Sequence, residues 1–278
     1  MKLTNKYNLP RSIVQALEAD EYDNGGADIT ASTLWKPTQM VALEKKHAGD
    51  LQADASDFLG TLLGTAFHHY VQRHDTEAVT EKRLFAQVGG LTISGQFDRL
   101  SVEEGILQDY KVTSVARFNH QKHEAEWECQ LNTYAWLLRR HGFEVKALQI
   151  IAFLRDWSEF HMERSLDYPN LSLQVVDIHL WPAEVAEERI EARVLAHLSP
   201  SPCTNEERWH RPPKYAVMKN GRKSAVKLFD SQSEASAFIA AANDSRYLYL
   251  EERPGSYLRC EKYCSAAPFC PQHNENAA

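Results

Sequence analysis

Asp98, Asp109 and Lys111 combine residue types and spacing that suit phosphoryl chemistry. Asp98 and Asp109 are symmetric about a point between Glu103 and Glu104, where a turn should fall, so in an antiparallel hairpin they face each other. Directly opposed residues have Cβ atoms roughly 4.5 to 5.5 Å apart, and two carboxylates at that distance repel unless a cation sits between them. Oxygen ligands of this kind suit Mg2+ or Mn2+. Lys111 follows Asp109 by two residues, and strand alternation points it to the same face. An ammonium there can orient a water and offset charge developing on a phosphoryl oxygen. Taken alone, an Asp-x-Lys tripeptide is more often a surface ion pair on the polar face of a strand.

Cysteines form a second chemical cluster. Cys260, Cys264 and Cys270 crowd together near the C-terminus, while Cys129 and Cys203 stand apart. In a reducing compartment such a cluster reads as metal ligation before it reads as disulfides. Three thiols from one short loop and one from elsewhere is a common plan for an iron-sulfur cluster or a structural zinc.

The elements that must position these groups follow from periodicity. The run from Asp57 to His74 places Phe58, Leu62, Leu63, Ala66, Phe67 and Tyr70 at helical spacing, which predicts a helix capped by Asp57 with one buried face. Three strands are expected next, Thr80 to Val88, Leu91 to Leu100 after the Gly89-Gly90 turn, and Ile106 to Val112, forming an antiparallel meander. A long helix from Phe118 to His141 follows, then strands over Ala147 to Leu154 and Leu173 to Leu180 and an amphipathic helix over Ala183 to Leu198. This is an α/β plan with a central mixed sheet flanked by helices. The expected division is an irregular or helical segment over 1–56, a core over 57–199, and an α+β appendage over 200–278. That appendage comprises a hairpin from Lys214 to Phe229 turning at Asn220-Gly221, a helix over Ser233 to Ala242, and the Cys-rich tail.

The order of these features resembles the RecB-like branch of the PD-(D/E)XK nucleases. Its Gly-x-x-x-His helix, Gly-x-x-Asp, Asp/Glu-x-Lys and Gln-x-x-x-Tyr helix stand here as Gly64 to His68, Gly95 to Asp98, Asp109-Tyr110-Lys111 and Gln130 to Tyr134. The conjunction, covering roughly 57 to 155, is far more specific than any one motif. The resemblance implies a restriction-endonuclease-like core in which His68, Asp98, Asp109 and the backbone carbonyl of Tyr110 hold one or two Mg2+ or Mn2+ ions. It makes Lys111 the residue that positions water, with Gln130 and Tyr134 bracing the site or touching DNA. Only the Gly64 register favours His68 over His69. Glu81 matches an acidic position often seen in this branch, though a solvated strand end explains it as well.

The cysteine tail is similar to that of iron-sulfur nucleases of the same branch, including AddB-type and CRISPR-associated exonucleases. Their fourth cysteine lies upstream of the His motif, whereas no cysteine here precedes Cys129. Cys203 is therefore the candidate that would join Cys260, Cys264 and Cys270 around a 4Fe-4S cluster or, alternatively, a structural Zn2+, with free thiols as the remaining reading. Cys129 adjoins Gln130 and is expected to pack as a small hydrophobe.

Lys214, Lys219, Arg222, Lys223 and Lys227 on the hairpin are the densest basic segment and could guide a phosphate backbone, although charged edge strands also serve to block aggregation. The formal net charge of −7 argues against a protein that coats nucleic acid. No stretch approaches the roughly 20 apolar residues that span a bilayer, and the start lacks the apolar core of a signal peptide, so a cytoplasmic protein without membrane contact is expected. The Asn8-Leu9-Pro10 start and the Arg253-Pro254-Gly255 segment look like those of phage-encoded exonucleases. The implied activity is exonucleolytic hydrolysis of linear DNA in phage recombination, replication or DNA degradation, with a recombination or single-strand-binding protein as a partner. The rivals are an endonuclease of the same fold and a non-cleaving DNA-binding or metal-cluster scaffold.

Overall fold

The computed structural model describes residues 2–19, 24–119 and 124–275. The chain divides into one unit of Met1–Ala42 and Ala48–Ser201, and a second of Leu43–His47 and Pro202–Ala278.

In Ala147–Leu154 every second residue, Leu148, Ile150, Ala152 and Leu154, is buried, the pattern of a strand with one face on a core. It lies inside a five-stranded sheet with the order Leu173–Ile178, Ala147–Leu154, Ile106–Thr113, Arg99–Ser101, Val79–Thr80. Its pairing with Ile106–Thr113 is parallel, and the other pairings of this sheet are antiparallel. A parallel pair needs a crossover, which Val115–Asn119 and the helix Glu124–Arg140 supply. Residues 120–123 of the expected Phe118 to His141 helix lie outside the described residues.

From Leu131 to Leu138 the crossover helix is buried at every position, because the sheet covers one side and the helices Ala31–Leu34 and Ala183–Leu198 cover the other. Its buried polar side chains are satisfied. Asn132 donates to the Glu128 and His179 carbonyls and accepts from Trp181 N, and Thr133 accepts from the Trp35 indole.

The expected meander is broken. Leu91–Gln96 pairs with Arg83–Val88 and Ile29–Thr30 in a separate three-stranded sheet, and the chain passes at Phe97-Asp98 into the five-stranded one. Phe97, 1% exposed, is the pivot, since burying its ring turns the strand out of line. The first fifty residues hold more structure than the irregular run expected: the helix Arg11–Ala19, a parallel pairing of Lys2–Thr4 with Gln52–Asp54, and the helix Thr38–Lys46. The helix Leu59–Gln72 also departs from expectation, for it has no fully buried residue, and Leu63 and Tyr70 are 46% and 71% exposed. It touches the outer sheet face through Phe67, stacked on Phe153 with ring centroids 5.4 Å apart, and the rest of its apolar stripe is only partly covered. Its approach is capped by Asp54 and Asp57 reciprocally, rather than by Asp57 alone.

In the second unit, Lys214–Lys219 pairs with both Lys227–Phe229 and Leu248–Arg253, and the helix Gln232–Ala241, capped by Ser231, packs on this sheet. The His47 and Phe269 rings stack 4.2 Å apart.

Candidate functional site

Asp98 sits at the bend between the two sheets. The register pairs Arg99 with Gln108, so one further step sets Asp98 against Asp109. In place of a ladder bond, Asp98 Oδ2 accepts from Tyr110 N at 2.7 Å. Asp109 is 2% exposed in the middle of the sheet. Lys111 Nζ lies 2.6 Å from its Oδ2, but off hydrogen-bond geometry, so among the described residues this buried oxygen has an ion-pair neighbour and no hydrogen-bond partner.

His68 reaches the carboxylates from Leu59–Gln72. Its Nε2 lies 3.0 Å from the Tyr110 carbonyl, which only accepts, so Nε2 carries the proton. Nδ1 then faces Asp98 Oδ1 at 3.5 Å and Glu81 Oε1 at 3.9 Å. A histidine that gives one ring N–H to a carbonyl and presents the other nitrogen is oriented as metal-ligating histidines usually are. The Tyr110 carbonyl, expected as a ligand, is engaged here by His68.

Glu81 completes the group. Its backbone is left-handed, with φ of 50°, a conformation that costs a non-glycine residue on the order of 1 kcal/mol. Glu81 N donates to the Asp98 carbonyl at 3.2 Å, which holds it there. Arg83 donates to Gln96 Oε1 at 2.7 Å, and Gln96 Nε2 donates to Glu81 Oε2 at 2.6 Å, fixing the carboxylate. One ligand atom each of His68, Glu81 and Asp98 lies within 4.8 Å of the others, a grouping able to hold a metal ion.

Behind Lys111, Nζ donates to Gln130 Oε1 at 3.1 Å, and Gln130 Nε2 donates to Tyr134 Oη at 2.8 Å. Tyr134 is 6% exposed, so it braces this chain of bonds and does not reach a polymer in solvent. Gly95 makes the seating possible, because a Cβ there would lie 2.6 Å from Leu137 Cδ1 and 2.8 Å from Tyr134 Cδ1. A Cβ at Gly64 would meet nothing within 4 Å, so packing does not require that glycine.

Electrostatics show what the site lacks. Burial opposes charge on the His68 imidazole, yet the Asp98 and Glu81 carboxylates outweigh it and push the group up to about 10. Burial, joined by repulsion from Asp98, holds Asp109 above the usual carboxylate range against the pull of Lys111. Burial also works against the charge of Lys111, but Asp109 and Asp98 raise it above its ordinary value. A divalent cation fits this oxygen and imidazole donor set and would give the Asp109 oxygen that lacks a hydrogen bond a further partner.

The structure thus brings together His68, Asp98, Asp109, Lys111, Gln130 and Tyr134, and adds Glu81. Arg83 and Gln96 were not anticipated. Their signal was available, since they are symmetric about the Gly89-Gly90 turn and pair directly across it.

In the second unit, Cys203 N donates to Gln272 Oε1 at 3.1 Å, and Gln272 returns a bond to the Cys203 carbonyl at 2.9 Å, which carries this distant cysteine to the tail. Burial, Glu207 and the neighbouring Cys270, Cys260 and Cys264 push the Cys203 thiol up to about 11. Those three cysteines thus act on Cys203 through charge, but among the described residues no three of the four sulfurs lie within 4.8 Å of one another and no disulfide joins them. Cys129 packs against the core of the first unit, and burial pushes its thiol up to about 11 as well. On the basic hairpin, Lys214 pairs with Asp230 and Lys219 with Asp244, so two of the five expected phosphate-guiding charges are answered by carboxylates.

Residues 26–271 match the PD-(D/E)XK nuclease superfamily. Enzymes of that superfamily generally use divalent metals. No curated protein matches the chain. Among solved structures, SSO0001 is 17% identical with a TM-score of 0.46, covering 71% of this chain and 87% of its own. A phage-related exonuclease from Haemophilus somnus 129PT is 14% identical with a TM-score of 0.40, covering 61% of this chain and 91% of its own. Among the described residues no helix is long and apolar enough to cross a membrane.

Proposed function

Since the chain belongs to the PD-(D/E)XK nuclease superfamily, we propose that it is a divalent-metal-dependent exonuclease acting on linear DNA. The observation that carries this reading is the convergence of His68, Glu81 and Asp98 beside the buried Asp109 oxygen, which has an ion-pair neighbour in Lys111 but no hydrogen bond. His68, Asp98, Asp109 and Glu81 would hold Mg2+ or Mn2+, one ion or two. The ion, when bound, supplies Lewis-acid stabilisation of the charge that develops on the scissile phosphate.

The chain's own residues do the rest. Lys111, steadied by Gln130 and Tyr134, donates to the attacking water and holds it in line with phosphorus. Water oxygen bonds to phosphorus as the bond to O3′ breaks, leaving 5′-phosphate and 3′-hydroxyl ends. On the basic hairpin, Arg222, Lys223 and Lys227 are the residues best able to guide a DNA backbone. The catalytic core is 57–199, and 200–278 is an appendage whose Cys203, Cys260, Cys264 and Cys270 bind a 4Fe-4S cluster or Zn2+ that pins the tail. Similarity to phage-encoded exonucleases favours a role in phage recombination, replication or DNA degradation in a host cytoplasm, alongside a recombination or single-strand-binding protein.

The test is digestion of end-labelled linear DNA and closed circular DNA with Mn2+, Mg2+ or EDTA, by wild type and Asp109→Ala. Metal-dependent shortening of linear DNA alone, lost in the variant, is expected. Cutting of circles would make the enzyme an endonuclease, and no cleavage of any substrate would leave a DNA-binding or scaffold protein.

A further inference from the structure

Arg208 is 4% exposed, a burial that charged side chains rarely reach without a partner. Among the described residues no carboxylate answers it. Its Nη2 is buried without a hydrogen-bond partner, its Nε points at Cys260 Sγ at 3.5 Å, and its guanidinium lies 3.4 Å from the centroid of the Tyr257 ring. The backbone around it is fully engaged: Arg208 N donates to the Thr204 carbonyl and its own carbonyl accepts from Arg259 N. The side chain is therefore fixed in a place where its charge has only a ring face and a sulfur for company. A buried cation in that position is strongly unfavourable unless an anion compensates it.

The sulfur it addresses is that of Cys260, one of the four cysteines read above as metal ligands. Neutral thiols are weak acceptors and supply no negative charge. Metal-bound thiolates do, because ligating cysteines are deprotonated, and four of them outweigh the charge of a zinc ion or an iron-sulfur core. We propose that Arg208 is the built-in counter-ion of an anionic metal-thiolate centre formed by Cys203, Cys260, Cys264 and Cys270. This rests on the reading of those cysteines as ligands and adds to it a residue outside the ligand set. Arg208 donates N–H to the Cys260 sulfur and sets a positive charge beside the centre. Such bonds to ligand sulfurs govern both retention of the metal and, for an iron-sulfur cluster, its reduction potential. The same charge makes the empty site unfavourable, so metal binding and local stability are coupled through one side chain.

The full-length chain, wild type and Arg208→Met, is prepared metal-free and then loaded anaerobically with iron(II) plus sulfide, or separately with zinc(II). Metal and sulfide content, the visible spectrum, the rate of metal loss to EDTA, and Tm with and without metal are measured. Uptake by the wild type in either arm that Cys260→Ser/Cys264→Ser loses, while the carboxylate site is intact, identifies the centre as an iron-sulfur cluster or as zinc. With the preferred metal, Arg208→Met is expected to release it roughly tenfold faster or more. Its Tm should fall below wild type when loaded and rise above wild type when metal-free, because the uncompensated charge is gone. Arg208→Lys, which keeps the charge, should restore part of the retention. A variant that retains metal like the wild type, or is destabilised equally with and without metal, overturns the role of Arg208 while leaving the ligand reading intact. Failure of the wild type to take up either metal overturns both.

Discussion

The carboxylate site of the first unit and the thiol site of the second each bury a charged atom that lacks a hydrogen-bond partner, and the two atoms have opposite sign. Asp109 Oδ2 is an acceptor that meets the Lys111 charge but receives no hydrogen bond, and Arg208 Nη2 is a donor that finds no acceptor. At the first, four acidic and imidazole groups crowd around too little positive charge, and His68 holds its proton far above the usual range in consequence. At the second, a guanidinium stands beside the Cys260 sulfur, which becomes anionic only on deprotonation. An unanswered buried charge thus indicates the sign of what a site accepts, even where the ligand types differ completely.

The comparison can be broken most sharply at Lys111. Lys111→Ala should lower the rate of DNA cleavage by about 10²- to 10³-fold. Metal uptake at the proposed cysteine centre, counted on the same sample, should not change. Loss of that second metal would mean the two sites are not independent. Gln96→Leu should have a smaller effect, weakening Mn2+ binding at the carboxylate site by roughly tenfold, because Glu81 loses the amide that fixes it. Calorimetric titration of Mn2+ reads this directly, and unchanged affinity would remove Glu81 from the ligand set.

Asp54 shows the opposite arrangement, a carboxylate answered entirely by hydrogen bonds. Lys6 N, Ser56 and Thr4 donate to it and hold it well below the usual carboxylate range. A depressed folded value contributes stability that is present above the ordinary carboxylate pKa of about 4 and is lost as pH falls below it. Asp54→Asn should lower Tm at neutral pH and flatten the fall of Tm between about pH 4 and more acidic conditions. An unchanged acid limb in thermal melts would show that this carboxylate is not tuned. The smallest effect is expected at the exposed Tyr70, where Tyr70→Ser should change unfolding free energy by no more than about 0.5 kcal/mol in urea titration.

Much of the first site was legible because strand periodicity is rigid. Once a turn falls between Glu103 and Glu104, the opposition of Asp98 and Asp109 and the alignment of Lys111 follow from the pleat. Gln130 and Tyr134, one helical turn apart, were legible only through the family resemblance, since helical periodicity shows that they share a face but not that they meet Lys111. Glu81 was only half legible, since its place depends on a left-handed backbone that local propensity disfavours and that the Asp98 carbonyl imposes. The bend at Phe97 was hidden because apolar alternation runs straight through it. Periodicity also marks the apolar stripe of Leu59–Gln72 without saying how much of it another element covers. Arg208 gave no signal at all, because nothing local distinguishes an arginine that will be buried from one that will be solvated.

The parallel pairing of Ile106–Thr113 with Ile150 and its neighbours has a consequence for the order of folding. Asp109 meets Ile150 across 40 residues of intervening chain, so the strand carrying Asp109 and Lys111 is locked only after the crossover helix has closed a long loop. Such non-local parallel contacts form slowly, whereas the turn between Asp98 and Asp109 is local. The hairpin alone would press two carboxylates together with nothing to hold them there. Gln130 and Tyr134 belong to the crossover helix itself, so the support for Lys111 arrives with the event that completes the sheet. A newly made chain therefore passes through its early folding stages without an assembled hydrolytic centre.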